Sequence, residues 1–217
     1  MRTLIIGASG GIGAALMRAA GPDAIGLSRR GDGLDLTDEA SIKSHLGALK
    51  GPFERIVIAT GALEIDGAGP EKSLRALTPD ALAAQFSLNA VGPALVVKHA
   101  MRLLPRDRPA RVGVLSARVG SIGDNRLGGW YSYRAAKAAL NQLIHSAAIE
   151  IARTHPQAVV ACLHPGTVAT AFTATYQTAH EKSTPDQAAA ALLAVLGALT
   201  PAQSGGFYDA KGLEIEW

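Results

Sequence analysis

Residues 3–20 read TLIIGASGGIGAALMRAA. The run TLIIG at 3–7 is short, aliphatic and β-branched, the composition of a strand buried on both faces of a parallel sheet. From residue 11 the apolar spacing turns helical, which predicts a helix over 11–20. Between them Gly7, Gly11 and Gly13 stand as GxxxGxG. Glycines there permit a tight turn, a close approach of backbone to a diphosphate and close packing of helix on strand. The uncapped N–H groups at the start of the helix add partial positive charge for an anion. A dinucleotide suits such a turn, and the turn with its neighbours spans Gly7, Ser9, Gly10, Gly11, Ile12 and Gly13.

The same alternation continues along the chain. Apolar runs recur at 24–28, 55–60, 111–116 and 159–164, with a late edge strand at 207–210. Helical spacing fills 38–49, 79–103, 131–153 and 185–199. Strand and helix in strict turn predict an α/β domain of Rossmann type, a doubly wound parallel sheet with helices on both faces. Thr37, Thr78 and Thr184 punctuate helix starts, the last two followed by Pro79 and Pro185 at the first helical position. Pro93 falls inside the 79–103 helix and predicts a bend that frees backbone groups near Asn89. Residues 61–77 form a loop on the carboxyl side of the third strand, the side on which such sheets bind ligands.

With 217 residues, 48% of them hydrophobic, the chain suits one domain with one substantial core. Its net charge of +3 comes from 21 basic and 18 acidic residues scattered along the sequence, so no basic stripe points to nucleic acid. Arg102, Arg106, Arg108 and Arg111, the densest basic group, read as a solvated loop. The lone Cys162 excludes an internal disulfide and suits a reducing compartment, and no signal peptide or uninterrupted membrane-spanning run is visible, so the expected location is the cytoplasm. The six histidines show no metal-ligand spacing, and no metal is expected.

In WYSYRAAKAALNQL, residues 130–143, Tyr133 and Lys137 stand at i and i+4 and share one helix face. A phenol with a pKa near 10 is a poor acid or base at neutral pH, and a fixed ammonium nearby is expected to lower that value. Tyr131 is a second phenol, but it points about 200° around the helix and has no lysine at i+4. At the second strand end, where a NAD site carries an acid for the ribose 2′-hydroxyl, the chain has Ser28, Arg29 and Arg30, whose guanidinium groups match a 2′-phosphate. NADP(H) is therefore preferred, with NAD(H) possible through Asp32 or Asp35.

GASGGIG, NAVG at 89–92, YSYRAAK and HPGTVAT at 164–170 together resemble the short-chain dehydrogenase/reductase family over essentially the whole chain. The stretch LSARVGSIGDNRLGGWYSYRAAKAALN, 115–141, is similar to the small carbonyl-reductase and C-factor-type members. The resemblance implies hydride transfer between a nicotinamide and a small carbonyl or alcohol substrate. It makes Tyr133 the proton donor and acceptor, Lys137 the residue that holds the nicotinamide ribose and tunes the tyrosine, and Asn89 the anchor of a water in a proton relay. It places Asp35 and Leu36 of LDLTD near the adenine ring, Thr60 and Gly61 in the turn after the third strand, and Pro165, Gly166, Thr167, Val168 and Thr170 beside the nicotinamide. His164, just before that turn, reads as a space-filling residue at the strand end. A homodimer or homotetramer is implied by resemblance as well.

Two departures stand out. The family's substrate-orienting serine falls by ungapped counting on Ala117, leaving Ser116, Ser121 or no serine for that role, with Ser116 preferred. The third strand ends in IATGA where the family often has an asparagine pair. The missing serine motivates an alternative function, a nucleotide-binding signalling or regulatory protein with vestigial catalysis. Phe172 and Tyr176, in the short stretch between Thr170 and Pro185, are candidates for an apolar wall of the substrate site.

Overall fold

The computed structural model describes residues 1–170, 172 and 182–217. Six parallel strands form one sheet in the order β2-β1-β3-β4-β5-β6: β1 Thr3–Ile6, β2 Ile25–Leu27, β3 Arg55–Ile58, β4 Ala110–Leu115, β5 Ala158–His164 and β6 Phe207–Asp209. Neighbouring residues in a strand face opposite sides, and both sides are buried. Leu4, Ile6, Val112, Val114 and Val160 enter one core with α3 (Glu39–Ala48), α5 (Gly92–Ala100) and α6 (Tyr131–Ala152). Ile5, Val57, Val159 and Leu163 enter a second core with α1 (Gly11–Ala20) and α7 (Pro185–Ala198). This explains why the strands read as continuous apolar runs without a polar alternate.

A single-turn helix α2 (Arg29–Asp32) follows β2, where the sequence alone predicts only a strand end. Ser28 caps it by accepting from Gly31 N–H. Thr78 and Thr184 cap α4 (Pro79–Phe86) and α7 as expected. Thr37 does not cap α3: Asp38 does, accepting from the N–H groups of Ala40 and Ser41, while the Thr37 hydroxyl donates to Asp35 at 2.7 Å. The carboxylate offers two acceptors where a hydroxyl offers one, so the aspartate takes the cap.

The helical stretch 79–103 is interrupted, as Pro93 requires. Between α4 and α5, Ser87–Val91 adopts a π-turn that carries Asn89 at its centre. Pro79–Leu103 is long enough to cross a bilayer, and an 18-residue window within it reaches a mean hydropathy of 1.2. It is instead packed into the fold, α4 on α6 and α5 on α3, with Ala90, Val96, Val97 and Ala100 in the core.

Strand order reverses between β1 and β3, so the loops leaving their carboxyl ends part to opposite sides and open a crevice. The long loop after β3 does not stay there: its Glu71 reaches the start of α6.

Candidate active site

A cavity of about 310 Å3 occupies this crevice. Gly10, Gly11 and Ile12 line it from the β1 turn, Thr60 and Gly61 from β3, Ser116 and Ala117 from β4, Tyr133 and Lys137 from α6, and His164, Pro165, Gly166, Val168 and Thr170 from β5 and the turn beyond. Phe172 also lines it, with its ring 6.3 Å from that of Tyr133. Tyr176 lies outside the described residues.

On the β1 side, geometry is set by absent side chains. A β-carbon on Gly13 would lie 2.0 Å from the Gly7 carbonyl oxygen, so the helix packs directly on the turn. The first intrahelical bond is Ala14 N–H to Gly10 O, and Gly10 supplies no side-chain cap, which leaves the N–H groups of Gly11, Ile12 and Gly13 without helical partners. Thr60 borders the same region, and its buried hydroxyl has no partner among the described residues. Ser9 is exposed beside the turn, and Gly7 and Gly13 shape it from behind.

Arg29 and Arg30 are exposed at the start of α2, and neither forms an ion pair among the described residues. The nearby acid Asp32 is turned back, accepting from Ser28 N–H at 2.8 Å. Asp35 is engaged by the Thr37 hydroxyl and N–H, which lower its pKa, and Leu36 is buried. Ser28, Arg29, Arg30, Asp35, Leu36 and Thr167 lie outside the cavity lining. Thr167 instead accepts from Ser183 N–H, tying the turn after β5 to the segment before α7.

On the α6 side, side chains set the geometry. Tyr133 and Lys137 are 5% and 3% exposed, and Lys137 Nζ lies 5.9 Å from the centre of the tyrosine ring. Nζ donates to the Leu115 carbonyl at 3.1 Å. Burial pushes the Tyr133 phenol up and Lys137 down to about 8. Loss of solvent moves the phenol in the direction opposite to the lowering expected from the ammonium at i+4. Tyr131 does not line the cavity.

Asn89 stands behind this pair. Its Oδ1 accepts from Ala62 N–H at 3.0 Å and its amide donates to Ala62 O and Gln85 Oε1, so the side chain is spent on holding the loop after β3. A β-carbon on Gly61 would lie 2.7 Å from Asn89 Oδ1 and 3.4 Å from Lys137 Nζ, so glycine is needed for that approach. The α6 start has a partner the sequence did not reveal. Trp130 in a left-handed conformation gives no side-chain cap, and Glu71 takes its place, accepting from Ser132 N–H at 3.1 Å and from the Ser132 hydroxyl. Burial opposes the Glu71 charge, yet the Ser132 bonds leave its pKa lowered. Nothing local in the sequence links residues 61 apart.

Of the two serine candidates, Ser116 lines the cavity but its hydroxyl donates to Asn141 Oδ1 at 2.6 Å. Ser121 is off the lining, its hydroxyl accepting from Asp124 N–H. Ala117 borders the cavity without a polar group.

The model of the short chain dehydrogenase family matches residues 30–181. The chain belongs to that family. A member from Rhodococcus sp. (strain AD45), 1-hydroxy-2-glutathionyl-2-methyl-3-butene dehydrogenase, is 33% identical over 188 residues, 85% of this chain and 79% of the relative. The C-signal protein of Myxococcus xanthus is 34% identical over 137 residues, covering 63% of this chain and 78% of its own. The fold is shared with a carbonyl reductase from chicken fatty liver solved with NADPH, at TM-score 0.85 and 22% identity over 100% of this chain and 99% of the other.

Proposed function

We propose that this short-chain dehydrogenase is an NADP(H)-dependent oxidoreductase that transfers a hydride between the nicotinamide and a small carbonyl or alcohol substrate. The observation that carries the reading is that one cavity is bordered at once by the glycine turn and by the buried Tyr133 and Lys137. The names of two relatives, a dehydrogenase of a hydroxy compound and a carbonyl reductase, fit the two directions of such a reaction.

The residues present fit the cofactor. Unpartnered N–H groups at the start of α1 suit a diphosphate, and the orphaned Thr60 hydroxyl beside them needs a partner. Arg29 and Arg30, in no ion pair among the described residues and with Asp32 turned inward, suit a 2′-phosphate better than a bare ribose, which favours NADP(H) over NAD(H). Bound there, the reduced cofactor supplies the hydride. Tyr133 gives its phenol proton to the substrate oxygen as that atom gains charge and takes it back in the oxidation. Lys137, anchored by Leu115 O, keeps two further N–H groups for a ribose hydroxyl and holds positive charge near the phenol. Asn89 fixes Gly61 and Ala62 so that the cavity floor stays in register.

The cavity lies at the small end of ligand sites, which suits the nicotinamide end of the cofactor and a compact carbonyl compound. The outer face of α6 carries the exposed apolar residues Leu143 and Ile149, consistent with a homodimer or homotetramer. The buried Cys162 suits the reducing cytoplasm.

NADPH consumption across a panel of aldehydes, ketones and diketones tests the reading. Turnover with NADPH in preference to NADH is expected. NADPH binding without turnover of any of them favours the signalling alternative.

A further inference from the structure

The family's serine position is Ala117, and the two hydroxyls nearest in sequence are unavailable as donors into the cavity. Ser116 has one proton and gives it to Asn141 Oδ1, and Ser121 does not reach the lining. The substrate oxygen would then be held by the Tyr133 phenol alone, unless another donor stands on the β4 and β5 side.

One does. His164 ends β5, and strand alternation sends its side chain to the same face as Cys162 and Val160, the face covered by α6. It borders the cavity together with Ala117, Ser116 and Tyr133. Among the described residues its buried Nδ1 has no hydrogen-bond partner. A buried, unpaired imidazole nitrogen costs stability, and here the ring that carries it also borders a ligand-sized cavity. The ring is also kept neutral: burial, then Arg118, push its pKa down to about 4 against the pull of Asp209, whose carboxylate lies 3.6 Å from the Arg118 guanidinium. A neutral imidazole carries one N–H donor and brings no second charge to oppose Lys137. The buried Thr60 hydroxyl, without a partner among the described residues, belongs to the opposite wall: a β-carbon on Gly7 would lie 2.8 Å from its methyl carbon.

We propose that His164 is a substrate-positioning residue, donating an imidazole N–H to the substrate carbonyl oxygen in the place Ala117 leaves without a hydroxyl. This rests on the carbonyl-reducing reading above. The bond strengthens as the oxygen gains negative charge and so acts on the transition state more than on substrate binding.

The test compares variants at 164 with the parent protein in NADPH-dependent reduction of the carbonyl panel, with NADPH affinity and melting temperature measured alongside. His164→Leu, which keeps the bulk and removes both nitrogens, is expected to lower kcat about a hundred-fold, as loss of one oxyanion donor does elsewhere, with NADPH affinity unchanged. His164→Gln retains an N–H donor and is expected to recover most of that loss. Ala117→Ser added to His164→Leu is expected to recover it as well, which a space-filling role for the histidine would not allow. His164→Leu with kcat and KM within about two-fold of the parent overturns the proposal. Tyr133→Phe, run in parallel, separates the two claims. If it is inactive while His164→Leu is not, only the assignment to His164 falls; if it stays active, the reading of the whole site falls with it.

Discussion

The two walls of the cavity are built on opposite principles. On the β1 side the backbone is the instrument, and Gly7 and Gly13 matter because nothing projects from them. On the α6 side, buried polar side chains are held by partners distant in the chain: Glu71 on Ser132, Asn89 on Ala62, Ser116 on Asn141. The first wall is rigid by exclusion and tolerates no added atom. The second is held by hydrogen bonds that can be removed singly, and its charged group is buried at a cost. Substitutions should therefore fail abruptly on one wall and by degrees on the other.

The largest effect is expected at Gly13. A β-carbon 2.0 Å from the Gly7 carbonyl oxygen meets backbone on an already tight turn, so Gly13→Ala should destabilise the protein by about 4 kcal/mol or more, read by urea denaturation. A loss under about 1 kcal/mol would show that the turn yields.

Lys137 should behave in the opposite sense. Burial moves its pKa from 10.5 to about 8, a difference worth about 3 kcal/mol at roughly 1.36 kcal/mol per unit. Keeping the ammonium charged in the folded state carries that cost below about pH 8. As pH rises toward 10.5 the unfolded chain holds more protons than the folded one, so the cost shrinks. Lys137→Met is thus expected to raise stability at neutral pH by up to about 3 kcal/mol while turnover is lost. Its advantage over the parent should narrow between pH 8 and 10.5, as denaturant midpoints measured across that window would show.

A smaller change is expected at Glu71. Removing the cap with Glu71→Ala should cost about 1–2 kcal/mol and lower kcat more than NADPH affinity, because Tyr133 lies in the first turn that the cap secures. The Glu71 pKa lies below 4.5 in the folded state, so its contribution is present above that pH and fades as pH falls through the folded value. Melting temperatures of parent and variant should converge in acid.

These contrasts also explain what could be read without coordinates. Strand and helix positions followed from local periodicity, since β1 and β4 carry apolar residues to two buried faces and a run such as RVGVLS admits few other readings. The glycine turn was equally legible, because the reason for each glycine lies within a few residues of it. Pro93 announced the break that places Asn89 in a π-turn. The α6 wall was legible only in its reactive pair. Glu71 sits in a loop with no periodicity, and its bond to Ser132 depends on how that loop crosses the cleft. Thr37 suits a cap by residue type, and only geometry shows that its neighbour Asp38 takes the place. The lowered tyrosine pKa expected from spacing ignored desolvation, which spacing cannot express. His164 was read as filler because a lone histidine at a strand end carries no pattern; its unpartnered nitrogen appears only in three dimensions.

The most direct measurement of the central claim is NADPH titration and initial-rate kinetics on Tyr133→Phe. Because the phenyl ring keeps the packing against Trp130 and Phe172 and lacks only the proton donor, the account predicts parent-like NADPH affinity with carbonyl reduction reduced to background. A variant that still reduces the parent's best substrate at a comparable rate would contradict it.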